Sequence, residues 1–519
     1  MLQTNVNALI FTDCAGRVFS RTSGAYRIAT ELRKHGYTVQ VVDHWLLAGL
    51  EKTLAIIDKF VGPSTLFVGF STTFMNPGET YLIDLENPTS TAFKVVGVRQ
   101  TLVTSPSMVA VNVPIVQSDL QIIRDKILSK SPNAKLVMGG AKTEYKAKSQ
   151  VQIDTYISGY SDTSIIEYVK FLEGKNPFFQ YKLMPDGRMI VDYDVMASNF
   201  DFKNSTIEYQ EGDFIDRAEV LPIEISRGCI FKCKFCAFLL TGKKKTDHLK
   251  DKEVIYAEMM RNYENFGTTK YLFADDTYND SVSKLEHFAE VFQRLPFKIE
   301  YVAYLRHDLI ERFPEMADLL SESGLKSAIF GIETLNHTAG KIVGKGLDPK
   351  RTKQMLLWLR DEKGWGKRIL MTSGFIVGLP TESKETVMSW AEELWDPNYP
   401  LDSFIFTPLL LDPRASRIGS SEFEREYAKY GYSFDPMVST GWINEHWTYD
   451  DVKILADFLT RETYRKGRSK MIGFHAMMLN NYGITWDQIH SQPAEKLVRH
   501  LFGKTKAIAN AYHTKLLTL

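Results

Sequence analysis

Six short apolar segments, each followed by a stretch of helical spacing, recur in one part of the chain: LPIEIS (221–226), YLFADD (271–276), IEYVAYLR (299–306), KSAIFGIE (326–333), ILMTSGFIVGLP (369–380) and SFIFTPLLL (403–411). Strand and helix in strict alternation build a parallel sheet, and six units fit an incomplete, TIM-like (β/α)6 barrel better than the eight units of a closed one. An earlier series has the same character. It runs through NALIFTD (7–13), a helix from about Ser23 to Gly36, YTVQVVDHW (37–45), the amphipathic LAGLEKTLAIIDKF, TLFVGFS (65–71) and AKLVMGG (134–140). This predicts a separate α/β domain with a flavodoxin-like parallel sheet over residues 1–175, interrupted by an insertion at 75–112. The periodicity fades over 176–220, read as a linker, and the barrel is expected over 221–415. Residues 416–519, with helical spacing in DDVKILADFLTRETYRKG and AEKLVRHLFGKTKAIANAY, are read as a helical cap.

Composition narrows the class of protein. With 63 Lys and Arg against 63 Asp and Glu in 519 residues, the overall field offers no basic surface for a phosphate backbone, so nothing suggests a nucleic-acid partner. No apolar run approaches the roughly 18 residues needed to cross a bilayer. The start MLQTNVNALIFTD lacks a basic region and a cleavage site, and a cytoplasmic protein without membrane contact is expected. Four cysteines are too few for a disulfide framework, and three of them fall within EISRGCIFKCKFCAF (224–238).

Cys229, Cys233 and Cys236 thus sit on a loop directly after a strand. Three soft ligands hold iron and leave a fourth coordination position open for chemistry. A structural zinc would close its tetrahedron with a fourth ligand, for which His248 is the nearest downstream candidate. Zinc, and with it a non-catalytic metal-binding protein, stays open at this point.

The spacing CxxxCxxC with an aromatic before the last cysteine resembles the radical S-adenosylmethionine (SAM) superfamily, and the later strand ends resemble that family in the same order. The resemblance implies that the three cysteines bind a [4Fe-4S] cluster whose fourth iron is chelated by S-adenosylmethionine, and that an electron donor reduces it to yield a 5'-deoxyadenosyl radical. It places Phe235 against the adenine. YLFADDTYND makes Asp275 and Asp276 the acidic end of the second strand, one of which serves only as a cap if they point opposite ways. Arg306 would pair with the cofactor carboxylate, and Glu333 in FGIET would lie near its amino group or ribose. Gly378 in GFIVGLPTES would let the backbone approach the adenosyl moiety, while the loop DPRAS after the sixth strand departs from the family's pattern.

The first domain looks like the cobalamin-binding domain that precedes one large radical SAM class, which implies cobalamin as a further cofactor and methylation of an unactivated carbon as a reaction. The sequence DxHxxG, which supplies an axial His elsewhere, does not occur, and DCAGRVFSRTSG follows the first strand instead. Two readings follow, cobalamin bound without an axial His or a domain that has lost it; the second leaves a cobalamin-independent radical enzyme. In either case a ligand would sit at the carboxyl ends of the strands, with Ser71 to Thr73, Gly139, Gly140, Ser158 and Gly159 as rims. Cys14 reads as a small inert thiol and His44 as structural. The substrate and the catalytic residues are not named by the sequence; the insertion and the C-terminal region are where a substrate contact is expected.

Overall fold

The structure, a computed structural model, describes residues 4–14, 20–71, 80–84, 93–95, 108–111, 117–140, 153–191, 200–237, 248–345, 347–411, 420–434, 441–468, 473–492 and 494–519. Its strands are, in chain order, β1 (Ala8–Phe11), β2 (Val39–Val42), β3 (Phe67–Ser71), β4 (Thr80–Asp84), β5 (Phe93–Val95), β6 (Met108–Val111), β7 (Lys135–Gly140), β8 (Thr155–Ser158), β9 (Lys182–Leu183) and β10 (Met189–Val191). The first sheet has the order β2-β1-β3-β7-β8-β10-β9, parallel except for β9. Its first five strands follow the flavodoxin order, whose topological switch point lies between β1 and β3. β1 is apolar at every position because both faces are covered. Ala8 and Ile10 face the core under the helices Ser23–Lys34 and Ser164–Leu172, while Leu9 and Phe11 face that under Gly49–Phe60 and Gln117–Lys130.

β4, β5 and β6 form a small antiparallel sheet within the insertion. The stretch read as a linker begins differently: β9 and β10 extend the first sheet to Val191. Ile190 and Val191 are buried there, so two strands too short to show a period still join by edge pairing. From residue 200 the chain does run as an arm, clasped to the helix Ser23–Lys34 through Arg33 and Asp213 at 3.0 Å.

The second sheet comprises β11 (Leu221–Glu224), β12 (Lys270–Ala274), β13 (Glu300–Leu305), β14 (Leu325–Glu333), β15 (Leu370–Val377) and β16 (Ser403–Pro408), all parallel and in sequential order. This is the six-unit partial barrel that the alternation predicts. The carboxyl ends of its strands form the mouth, where functional groups in such folds collect.

The C-terminal region does not form a single cap, and three of its pieces bear on the two sheets as follows. The helix Tyr449–Arg465 lies on β16, with Thr460 Oγ1 accepting from Phe406 N at 3.3 Å. Met477, Leu479 and Tyr482 pack with Val220, Leu272, Val302 and Leu370 beneath the beginnings of the strands. The helix Ala494–Thr518 returns to the first sheet, where Tyr512 and Leu516, four residues apart on one face, enter its core. The last two pieces thus close the floor and tie the two sheets together, away from the mouth. No helix among the described residues is long and apolar enough to cross a membrane.

Candidate active site

The loop after β11 turns at Gly228, whose φ of +100° is a left-handed conformation suited to glycine. Cys229 is buried, Cys233 and Cys236 are half-buried, and none of the three is in a disulfide. Burial pushes the Cys229 thiol up, opposed by contacts from Thr277 Oγ1 and Phe231 N, each at 3.4 Å. The loop is pinned on two sides. Lys234 N donates to Val343 O at 3.2 Å, and Lys234 Nζ pairs with Glu422 at 2.6 Å.

The strand ends bring four candidate side chains to this loop. Asp276 accepts from the backbone of Gly228, and burial, then the neighbouring Asp275, push its carboxyl up to about 6. Asp275 points the other way: it is buried against Lys284 at 2.8 Å and accepts from Thr277 N at 2.9 Å, which makes it the structural member of the pair. Arg306 stands 3.5 Å from Cys233 Sγ, over the Phe231 ring at 4.1 Å and paired with Asp308 at 2.7 Å. Its guanidinium thus contacts both the cysteine loop and Asp308. Glu333 ends β14 at φ +69°, uncommon for a side chain of its size, and a register shift between Gly331 and Glu333 re-aims it.

Lys345, which the sequence reading missed, lies 3.5 Å from Glu333. Burial raises the Glu333 carboxyl while Lys345 opposes the rise. A Cβ on Gly331 would stand 2.5 Å from Lys345 Nζ and 2.9 Å from Glu333 Oε1, so glycine there makes room for the pair. The signal was a lysine following a helix-ending glycine, Gly344. Tyr304 also borders the mouth and is 42% exposed although the barrel surrounds it.

Gly378 has φ +97°, a Cβ on it would lie 2.7 Å from Trp442, and its carbonyl accepts from Tyr432 at 2.8 Å. Phe235 packs half-buried against the barrel core. His248 Nε2 meets Asp280 at 3.1 Å, while its Nδ1 is buried without a hydrogen-bond partner among the described residues. The sulfur atoms of Cys229, Cys233 and Cys236 are also not all within 4.8 Å of one another, too wide a set for one tetrahedral ion. Thr72, Thr73 and the DPRAS loop lie outside the described residues, as does most of the insertion.

On the first sheet, Ser71, Gly139, Gly140, Ser158 and Gly159 do line one carboxyl edge, with Ser71 opposite Gly139 and Gly140 opposite Ser158. Gly140 at φ +128° and Gly159 at φ +79° keep that edge free of side chains. Ser158 Oγ is buried and has no hydrogen-bond partner among the described residues. Cys14 and His44, thirty residues apart, meet at the neighbouring ends of β1 and β2, together with Asp13.

Behind Glu333, Thr334 Oγ1 donates to the buried Glu382 at 2.6 Å. Burial pushes the Glu382 carboxyl up to about 7 from an ordinary 4.5, opposed by that hydrogen bond. The folded state therefore keeps a proton that the unfolded chain has lost, and stability falls as pH rises from 4.5 towards 7. Glu382→Gln is expected to gain at most about 3 kcal/mol over the parent protein above neutral pH and nothing in acid. Urea unfolding at the two extremes checks this, and an equal change at both would contradict it.

The family model described as the radical SAM superfamily matches residues 223–394. The anaerobic magnesium-protoporphyrin IX monomethyl ester cyclase of Cereibacter sphaeroides is 22% identical over 325 residues, covering 58% of this chain and 51% of that protein. The bacteriochlorophyllide d C-12(1)-methyltransferase of Chlorobaculum tepidum is 22% identical over 272 residues, covering 51% of this chain and 55% of that protein. The chain thus spans about half the length of these two curated relatives. Among solved structures, the radical S-adenosylmethionine methyltransferase TsrM from Kitasatospora setae, with cobalamin and a [4Fe-4S] cluster bound, aligns at a TM-score of 0.60 and 14% identity, covering 96% of this chain and 100% of that one. The cobalamin-dependent radical enzyme OxsB aligns at 0.53 and 14% identity, over 82% of this chain and 55% of that one. At these identities the likeness is one of fold, and it extends over both sheets.

Proposed function

From the radical SAM domain that this chain carries over residues 223–394, we propose that Cys229, Cys233 and Cys236 hold a [4Fe-4S] cluster at which S-adenosylmethionine is reductively cleaved, and that the carboxyl edge of the first sheet holds cobalamin. The reaction proposed is methyl transfer to an unactivated carbon, with an electron donor as the redox partner. The observation that carries this reading is the cysteine loop itself: three thiols, none in a disulfide, at the mouth of a six-stranded parallel barrel and spread too widely for one ion.

When bound, the cluster would supply the electron that splits the sulfonium and the corrin would supply the methyl carrier. The chain's own residues would do the rest. Arg306 would place its positive charge beside Cys233 and the cluster held there. Glu333 and Lys345 form a buried pair of opposite charges at the mouth, suited to an amino acid's ammonium and carboxylate groups. The edge Ser71–Gly139 and Gly140–Ser158 offers backbone and hydroxyl groups without bulk, to which a large flat ring can come close. The curated cyclase and methyltransferase, both named for tetrapyrrole substrates, and the cobalamin-bound solved relatives support this reading.

Anaerobic protein mixed with hydroxocobalamin and desalted is expected to retain one corrin per chain, read from its visible absorption. Gly140→Val is expected to lose the corrin while still cleaving S-adenosylmethionine. Cleavage with no retained corrin in the parent protein would overturn the cobalamin half of the proposal and leave a cobalamin-independent radical enzyme.

A further inference from the structure

Among the described residues, one group of three His, Cys, Asp or Glu ligand atoms lies within 4.8 Å of one another, and it is Asp13, Cys14 and His44. The parallel register assembles it: Phe11 pairs with Val42, so the residues just beyond β1 face those just beyond β2. Asp13 is 1% exposed and His44 is fully buried, while Cys14 is half-buried and leaves a route from solvent. His44 adopts φ 52°, ψ 31°, a conformation that costs a side-chain-bearing residue free energy and persists only where the surroundings fix it. Asp13 Oδ2 also accepts from Leu46 N at 3.2 Å, which holds the carboxylate in place.

A second carboxyl group, Asp43, is fully buried beside the group, with Oδ1 3.9 Å from His44 Nε2. Oxygen, sulfur and nitrogen donors from three different residue types therefore converge at one place.

We propose that Asp13, Cys14 and His44 bind a divalent transition-metal ion of the zinc class at the ends of β1 and β2, distinct from the cysteine loop of the barrel. Sulfur, nitrogen and oxygen donors in this combination suit zinc and cobalt, whose bonds of about 2.0–2.3 Å need only a small closing of the set. Binding forms the metal–sulfur bond and releases the thiol proton to solvent, with no change of oxidation state. The ion would join β1 to β2 just where the C-terminal helix is fastened through His513 Nε2 and Asp43 O at 2.9 Å. The site lies at the ends of β1 and β2, beside the rim on β3, β7 and β8, and its three donors belong neither to that rim nor to the cysteine loop.

The test uses the full chain carrying Cys229→Ala, Cys233→Ala and Cys236→Ala, which leaves Cys14 as the sole thiol. Titration with Co2+ is expected to give a thiolate-to-cobalt charge-transfer band and tetrahedral d–d bands saturating at one ion per chain, both displaced by Zn2+. Cys14→Ser in that background should abolish the charge-transfer band, and His44→Gln should weaken binding by roughly 100-fold or more. No charge-transfer band, or one indifferent to His44→Gln and Asp13→Asn, would overturn the proposal. Should the triple variant fail to fold, the parent protein reconstituted with iron and then supplied with Zn2+ should show, at the zinc absorption edge, one sulfur with nitrogen and oxygen neighbours. Zinc absent from that sample, or bound by several sulfurs, would equally overturn it.

Discussion

Cys233→Ala, reconstituted anaerobically with iron and sulfide, is expected to hold no [4Fe-4S] cluster and to cleave S-adenosylmethionine only at background, whereas Cys14→Ser keeps both properties. The contrast rests on position. Cys233 sits on the pinned loop at the barrel mouth with Arg306 at 3.5 Å, while Cys14 lies beyond β1 in the other sheet. A cluster bound by three thiolates loses most of its affinity when one of them is removed. Iron content and the visible absorption band check the outcome. A Cys233→Ala protein that kept a full cluster would contradict the assignment of the ligands.

The second large effect lies between the sheets. Asp162, in the loop after β8, accepts from Arg227 Nη1 at 2.6 Å, and Glu224 at the end of β11 accepts from Arg227 at 2.9 Å and from Arg27 Nε at 2.9 Å. Two arginines meet these two carboxylates, with Glu31 4.0 Å from Arg27, the Arg227 guanidinium 4.5 Å from the Tyr160 ring and 4.7 Å from that of Phe202. Asp162→Ala removes the carboxylate that accepts from Arg227 Nη1, and removing one partner of a buried pair costs about 3–5 kcal/mol. Chemical denaturation measures this directly, and a loss below about 1 kcal/mol, the value of an exposed pair, would contradict it. Arg227 is two residues before Cys229, so the same substitution is expected to lower cluster retention.

The parts of this molecule legible in its sequence are those fixed by local pattern. The barrel strands showed as apolar segments in alternation with helices and the cysteine loop showed by spacing, whereas Glu333 was named only through the resemblance of FGIET to a family motif. That Asp275 and Asp276 diverge followed from strand geometry, although only the structure reveals that Lys284 claims Asp275. What stayed hidden depends on contacts distant in sequence. Lys345 meets Glu333 because Gly331 leaves space for both, and a single chain pattern does not encode that clearance. Arg306 was expected to be open to a ligand, yet Asp308, two residues on, already binds it. Gly378 was recognisable as a special backbone position, but its close neighbour is Trp442 from the C-terminal region. His44 looked isolated until the pairing of β1 with β2 set it beside Cys14 and Asp13.

The central claim is that the loop bearing Cys229, Cys233 and Cys236 carries a cluster with one iron open to S-adenosylmethionine. Electron paramagnetic resonance of the reduced, anaerobically reconstituted protein, recorded with and without S-adenosylmethionine, tests it most directly. The account predicts a [4Fe-4S]+ signal whose g-values shift when S-adenosylmethionine is added. A protein that takes up no iron–sulfur cluster, or whose signal is unchanged by saturating S-adenosylmethionine, would contradict it.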